Sequence, residues 1–287
     1  MKSNKLLAKS ITLGLILAMP YGVVSADEIT IDSNYVNGKT ITGTNAEDTI
    51  VYKGGDPLTV ENKAGIKNAA SLTVNQNLTN RGTINGIGNL VTTGNLTNGT
   101  SAADSTITVG SLKVSGNVVN SNKIAVTDSA EFNNLDNWGD SRGDAHNGEF
   151  VANTIIATGY INNDIGATIK VTDSMSAVGN ITNSGTLTAT DAVSTKANFT
   201  NNGTTEAASI TGKKVINNVG GNVTVSGDVT VTGTTQNVTW DGQFKNYGSF
   251  EAKNLNVQSS MINGDGTNKA TLTINGSING DKTTCIS

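Results

Sequence analysis

The sequence predicts an all-β protein folded as a parallel β-helix, a solenoid of about ten coils of about 18–22 residues each. Three observations carry that prediction. From Met175 to Gly203 the apolar residues sit on alternate positions (Met175, Ile181, Leu187, Val193, Phe199), while the positions between them are mostly Thr, Ser, Asn and Lys. Strict alternation is a strand signal, because successive strand side chains point to opposite faces. The set from Met175 to Gly185 recurs from Val193 to Gly203, so the chain returns with the same face inward. The composition agrees: 33 Gly, 2 Pro and 4% aromatic residues suit coils that each bury a few side chains against two neighbours, not a Leu- and aromatic-rich globular core.

Taken in order, residues 1–26 read as a secretory signal peptide. Lys2, Lys5 and Lys9 form a basic start, Ile11 to Met19 is apolar, and Val24-Ser25-Ala26 offers small residues for cleavage before Asp27. That apolar run is shorter than the roughly 20 residues a membrane-spanning helix needs. Residues 27–70 alternate in places (Ile29, Ile31; Ile50, Tyr52; Leu58, Val60) without a clean repeat, and are expected to cap the open end.

The repeat array is placed at 71–280. Leu72, Val74, Leu78, Asn80, Ile84, Leu90, Leu96, Asn98, Leu112, Val114, Val118, Asn120, Ile124 and Val126 all fall on even positions, although a four-residue insertion lies between Asn98 and Leu112; being even-numbered, it can be looped out without turning the core face to solvent. An irregular loop is expected at 133–148. Odd positions carry the core from Ile155 through Val231, with no register assigned over 206–222. Trp240, Phe244, Asn246 and Phe250 return to even numbers. Residues 281–287 are read as an incomplete coil or tail.

Each coil reads apolar-x-small-x-Gly-x-apolar-x-Asn-x-Gly-x-apolar, that is, three short strands with corners at Gly and Asn. Gly at a corner allows positive φ and close backbone approach. Asn80, Asn98, Asn120, Asn163, Asn183, Asn201 and Asn246 share one coil position and are expected to form a structural ladder of stacked, hydrogen-bonded amides. Turn preference alone is the other account of these residues.

The segments Asn77-Leu-Thr-Asn-Arg-Gly-Thr-Ile84, Asn180-Ile-Thr-Asn-Ser-Gly-Thr-Leu187 and Asn198-Phe-Thr-Asn-Asn-Gly-Thr204 resemble the repeats of bacterial autotransporter passengers and filamentous-haemagglutinin-like exoproteins. The likeness covers about Leu72 to Ile278. It implies a right-handed parallel β-helix, display at the surface of a Gram-negative bacterium, an outer-membrane translocator as partner, and adhesion as the common activity. Such rods also host proteases and toxins. The alternating, aromatic-girdled strands of a carboxy-terminal membrane barrel are not seen before Ser287, so the expected alternatives are a passenger part, a truncated product or a separately transported passenger.

Several constellations were weighed for chemistry. Arg142, Gly143 and Asp144 spell a triplet that resembles integrin-binding loops, and are the candidate ligand-binding residues. His146 is the single histidine and Cys285 the single cysteine, which argues against multi-His or Cys-based metal sites and disulfides. Neither a Gly-x-Ser-x-Gly elbow nor a Ser–His–Asp arrangement is legible around His146. Asp136, Asp140, Asp144 and Glu149 do not match calcium-loop spacing, and Asn263-Gly-Asp-Gly266 reads as a turn.

Tyr247, of opposite parity to Trp240, Phe244 and Phe250, could stack on a sugar. Asn-x-Thr/Ser triplets begin at Asn77, Asn95, Asn98, Asn180, Asn198, Asn202, Asn222, Asn237 and Asn275, because the coil consensus contains them. A net charge of −4 with only two arginines argues against nucleic acid.

The reading is therefore a non-enzymatic adhesin passenger. It has no catalytic residues, cofactor or metal, and acts on a host or bacterial surface receptor or glycan. A stalk without its own binding site is the alternative. A β-helix polysaccharide lyase or hydrolase is a further one, for which Asp173 and Asp191 are the only carboxylates in register.

Overall fold

The computed structural model of the protein describes residues 26–99, 104–139, 147–233, 243–258, 260–264, 266–267, 269–280 and 285–286. Among these, every regular element is a strand, and the strands stack into a parallel β-solenoid. A 13-stranded sheet forms one side. A 20-stranded sheet bends over the other two. With strands ~4.8 Å apart, 13 stacked strands give a rod of roughly 60 Å.

One coil shows the plan. Lys123–Val126 lies on the first side, Ser129–Phe132 on the second and Leu135–Asn137 on the third. Each pairs in parallel with the equivalent strand one turn on, Glu149–Ala152, Thr154–Ala157 and Ile161–Asn163. In some coils a single strand runs through the first corner, as Thr83–Thr92 and Thr106–Val114 do.

The core is a set of stacked columns. On the third side one column runs Leu58, Leu78, Leu96, Val118, Leu135, Ile161, Ile181, Phe199, Val215, Phe244 and Met261, residue on residue. All are buried. Edge-to-face aromatic pairs fill the wider coils: Phe132 with Phe150 at 5.8 Å and Phe244 with Phe250 at 4.9 Å.

The corners decide the parity of the repeat. Within a strand, core residues alternate. Across a corner they are four apart, as Val171 and Met175, or three apart, as Phe132 and Leu135. A four-residue step keeps the core on the same parity; a three-residue step inverts it.

This refines the expected extent of several segments. Ile107 and Val109 are buried core residues on odd positions in the strand Thr106–Val114, so the extra residues expected between Asn98 and Leu112 fall before Thr106, and that corner brings a change of parity. Leu135–Asn137 is a strand of the third side, so these three residues of the expected irregular loop 133–148 belong to the array. The stretch 206–222, whose register the sequence does not assign, contributes the strands Ser209–Gly212 and Lys214–Asn217.

Residues 27–70 contribute strands to the same stack. Glu28–Ile31 pairs with Thr49–Tyr52, Tyr35–Val36 with Leu58–Val60, and Thr40–Thr42 with Gly65–Val74, all in parallel. The regular stack begins about forty residues before the sequence repeat becomes legible, because the linking loops there differ in length while the strands still align.

At the other end Leu272 and Ile274 pack only partly on the core, and Ile278 is exposed. No helix among the described residues is long and apolar enough to cross a membrane.

Candidate functional site

The most elaborate polar construction in the molecule is the corner between the third side and the first. There Asn80, Asn98, Asn120, Asn137, Asn163, Asn183, Asn201, Asn217, Asn246 and Asn263 stack in one column. In each from Asn80 to Asn246, Nδ2 donates to Oδ1 of the asparagine one turn on, at 2.8 to 3.0 Å. The ladder thus joins the seven asparagines singled out in the sequence through three that were not, Asn137, Asn217 and Asn263.

A legible signal for the missing three exists. Leu135-Asp136-Asn137, Val215-Ile216-Asn217 and Met261-Ile262-Asn263 share the apolar-x-Asn tripeptide of the other coils. Asn137 and Asn217 fall in the stretches where parity reasoning had lost the register.

From Asn80 to Asn246 these side chains are fully buried, so each amide must find all its partners inside the protein. The amides also donate to backbone, for example Asn98 Nδ2 to Lys123 O at 3.0 Å and Asn217 Nδ2 to Ser249 O at 2.9 Å. Those carbonyls fix the amide orientation, since a flipped group would set oxygen against oxygen. Thr205, fully buried, joins the ladder by accepting from Asn183 Nδ2 and donating to Asn201 Oδ1.

Two residues beyond many ladder asparagines stands a glycine: Gly82, Gly185, Gly203 and Gly248. A Cβ on Gly203 would overlap the carbonyl of Gly185, and one on Gly248 that of Gly221. None of these four has positive φ. Close approach of stacked backbones, and not left-handed conformation, accounts for them.

A second, exposed set of asparagines lines the corner before the third side. Asn77 Oδ1 accepts the Asn95 N–H at 2.7 Å, and Asn95 Oδ1 accepts the Asn117 N–H at 2.8 Å. Asn134 and Asn180 likewise accept the Tyr160 and Asn198 N–H groups. Several Asn-x-Thr triplets belong to this corner, whereas the triplet at Asn98 starts on a buried ladder residue.

Arg142, Gly143, Asp144 and His146 lie outside the described residues, as do Asp140, Trp240, Asn237 and Asp265. Trp138 and Gly148, on either side of Arg142 to His146 in the sequence, meet at one rung: Gly148 N–H donates to Trp138 O at 2.7 Å and Asn137 Nδ2 donates to Gly148 O at 3.0 Å. Asp136 accepts from the Tyr160 hydroxyl at 2.8 Å, which raises the phenol's pKa, and Glu149 pairs with Lys123 at 3.0 Å. These two carboxylates are engaged on different sides of the rod and do not converge.

Tyr247 is half-buried and lines a shallow groove with Val219, Gly220, Lys269 and Thr271. Asp173 and Asp191 are stacked, and the column includes a third carboxylate that sequence reasoning missed. Backbone bonds link Asp128, Asn153, Asp173 and Asp191 on successive coils, from Asn153 N to Asp128 O, Asp173 N to Asn153 O and Asp191 N to Asp173 O. The three carboxylates are exposed at a convex corner. Among the described residues no group of three or more His, Cys, Asp or Glu side chains converges as a metal site.

The class the geometry defines is a parallel β-solenoid with an internal asparagine ladder. No protein-family model, curated protein or solved structure matches the chain.

Proposed function

We propose that the chain is a secreted or surface-displayed rod of a Gram-negative bacterium that acts in attachment, presenting loops from a rigid array to a receptor or glycan on a host or neighbouring cell. An outer-membrane translocator is its export partner, and the rod performs no catalysis. The observation that carries this reading is the rung that Asn137, Trp138 and Gly148 share through hydrogen bonds, with Arg142, Gly143 and Asp144 between Trp138 and Gly148 in the sequence. A loop anchored on a stiff scaffold suits recognition, because the scaffold limits the entropy lost on binding. The resemblance of the Asn-x-Thr-Asn-x-Gly repeats to passenger repeats supports the same reading.

The test is adhesion of the purified chain to integrin-bearing cells, with Asp144→Glu beside it. Binding that falls with this substitution supports recognition through the triplet. Binding that does not change assigns attachment to another surface, and absence of binding to any cell or glycan leaves a stalk.

The column Asp128, Asp173 and Asp191 favours a second reading, a polysaccharide lyase or hydrolase. Carboxylates one rung apart, ~4.8 Å, approach the spacing of a retaining glycosidase pair. Their convex, solvated position gives no cleft to exclude water or distort a sugar, which is why attachment ranks first. A polysaccharide-cleavage assay with Asp173→Asn and Asp191→Asn decides it.

A further inference from the structure

The chain contains eight Asn–Gly pairs, beginning at Asn37, Asn85, Asn98, Asn147, Asn202, Asn263, Asn275 and Asn279. Each is a potential site of self-modification. The glycine nitrogen can attack the asparagine Cγ, forming a C–N bond as the Cγ–Nδ2 bond breaks and ammonia leaves. Water then opens the cyclic imide at either carbonyl, giving aspartate or its backbone-isomerised form. The step needs only water and is redox-neutral. It also needs a glycine N–H that is not held elsewhere and an asparagine backbone free to turn toward it.

The solenoid withholds both conditions from most of these pairs. The N–H groups of Gly99, Gly148, Gly203, Gly264 and Gly276 donate to Asn80 O, Trp138 O, Asn183 O, Asn246 O and Lys253 O, at 2.7 to 3.2 Å. Asn98 and Asn263 have their carboxamides in the ladder as well. Gly86 falls at a bulge that both neighbouring registers skip, but Asn85 and Ile87 on either side of it are paired with both neighbouring strands and Gly86 is crowded by Asn68, so the Asn85 backbone is not free to turn. The Asn279 carboxamide donates to Asn256 Oδ1 and Ser277 Oγ, both at 3.0 Å.

Asn37 differs in every respect. It lies in the open turn between Tyr35–Val36 and Thr40–Thr42, is exposed, and its side chain makes no hydrogen bond among the described residues. Gly38 lies outside any strand, its N–H donates to no group among the described residues, and no other atom lies near the place a Cβ would take. We propose that Asn37 is a built-in deamidation site, the one Asn–Gly pair of the rod that converts to aspartate and isoaspartate while the protein stays folded. The position has a structural consequence. Glu61 N–H donates to Val36 O and Arg81 N–H to Val60 O, so Asn37, Glu61 and Arg81 are successive members of one column. A carboxylate at 37 stands beside Glu61, the acid that pairs with Arg81.

The experiment is peptide mapping by mass spectrometry of the full chain held folded at mildly alkaline pH, with a parallel sample in concentrated urea. A retained N–H hydrogen bond, worth about 0.5–1.5 kcal/mol, slows attack up to about tenfold before any local unfolding is counted. The expected result is conversion of the Asn37 peptide at least about tenfold faster than the Asn98, Asn202 and Asn263 peptides in the folded sample. In urea the rates should converge. Equal rates in the folded sample, another pair converting first, or the same ranking in urea would each overturn the proposal. Asn37→Gln should abolish the early modified species, and it leaves every coil contact in place.

Discussion

From Asn80 to Asn263 the corner between the third side and the first is an asparagine in every coil. In the two coils before it, the same column holds Val36 and Val60. Both solutions are fully buried from Val36 to Asn246, and both keep the strands in register. The difference lies in what each demands of its neighbours. Valine needs only volume. An asparagine needs a partner above and below, and becomes a liability if either is removed. The ladder region is therefore polar, interdependent and specific in register, while the first coils are apolar and more tolerant.

The largest effect should come from breaking the ladder at its middle. Asn183→Val removes the acceptor of Asn163 Nδ2 and the donor to Asn201 Oδ1 and Thr204 O. With buried groups left unsatisfied it should cost about 2–4 kcal/mol in denaturant unfolding. A loss below about 0.5 kcal/mol would show that the ladder contributes little.

Gly203→Ala comes next, at about 1–3 kcal/mol, because the new methyl meets the Gly185 carbonyl and the stacked backbones must part. Gly38→Ala, placed where space is open, should not show that overlap, although its positive φ carries its own smaller strain.

Val60→Asn sharpens the comparison from the other direction. The new amide could donate to Asn80 Oδ1 but would face Val36 below, so we expect a net cost of about 1 kcal/mol, less than Asn183→Val. The paired change at Val36 and Val60 to asparagine should recover part of it. Failure of any recovery would show that the ladder cannot be extended.

The smallest effect is confined to one end and depends on pH. Asp48, buried, accepts the Asp27 N–H at 2.9 Å and the Thr44 hydroxyl at 2.8 Å, along with the Thr44 and Asn45 N–H groups. The Asp27 backbone bond first, then the Thr44 hydroxyl, lower its pKa from 3.8 to about 2. Its folded-state pKa is depressed, so the stabilisation is present above pH 3.8 and is lost as pH falls toward 2. Hydrogen exchange at Thr44 and Asn45 should accelerate across that window before the ladder region responds. Asp48→Asn should remove the pH dependence of those amides.

Much of this was legible in the sequence because a strand writes its face in alternate letters. Ile181, Leu187, Val193 and Phe199 are read directly, since every corner between them takes four residues. The reading failed where a corner takes three, as between Val109 and Leu112 or Phe132 and Leu135, because each such step inverts the parity. It failed again before Leu72, where loops of unequal length separate strands that still stack. The ladder could be seen in part because asparagine is both rare as a buried residue and recurrent here. The carboxylate column was half-hidden, because Asp128 reaches Asp173 through an asparagine.

The ladder amides all point one way. Every Nδ2 from Asn80 to Asn246 donates toward the carboxy-terminal end of the stack, and the backbone carbonyls beside them forbid reversal. Aligned dipoles add, as peptide dipoles do along a helix. The rod thus carries a macrodipole in its side chains, with an electropositive tail and an electronegative head, and a charge brought near one tip meets a different field from the same charge at the other.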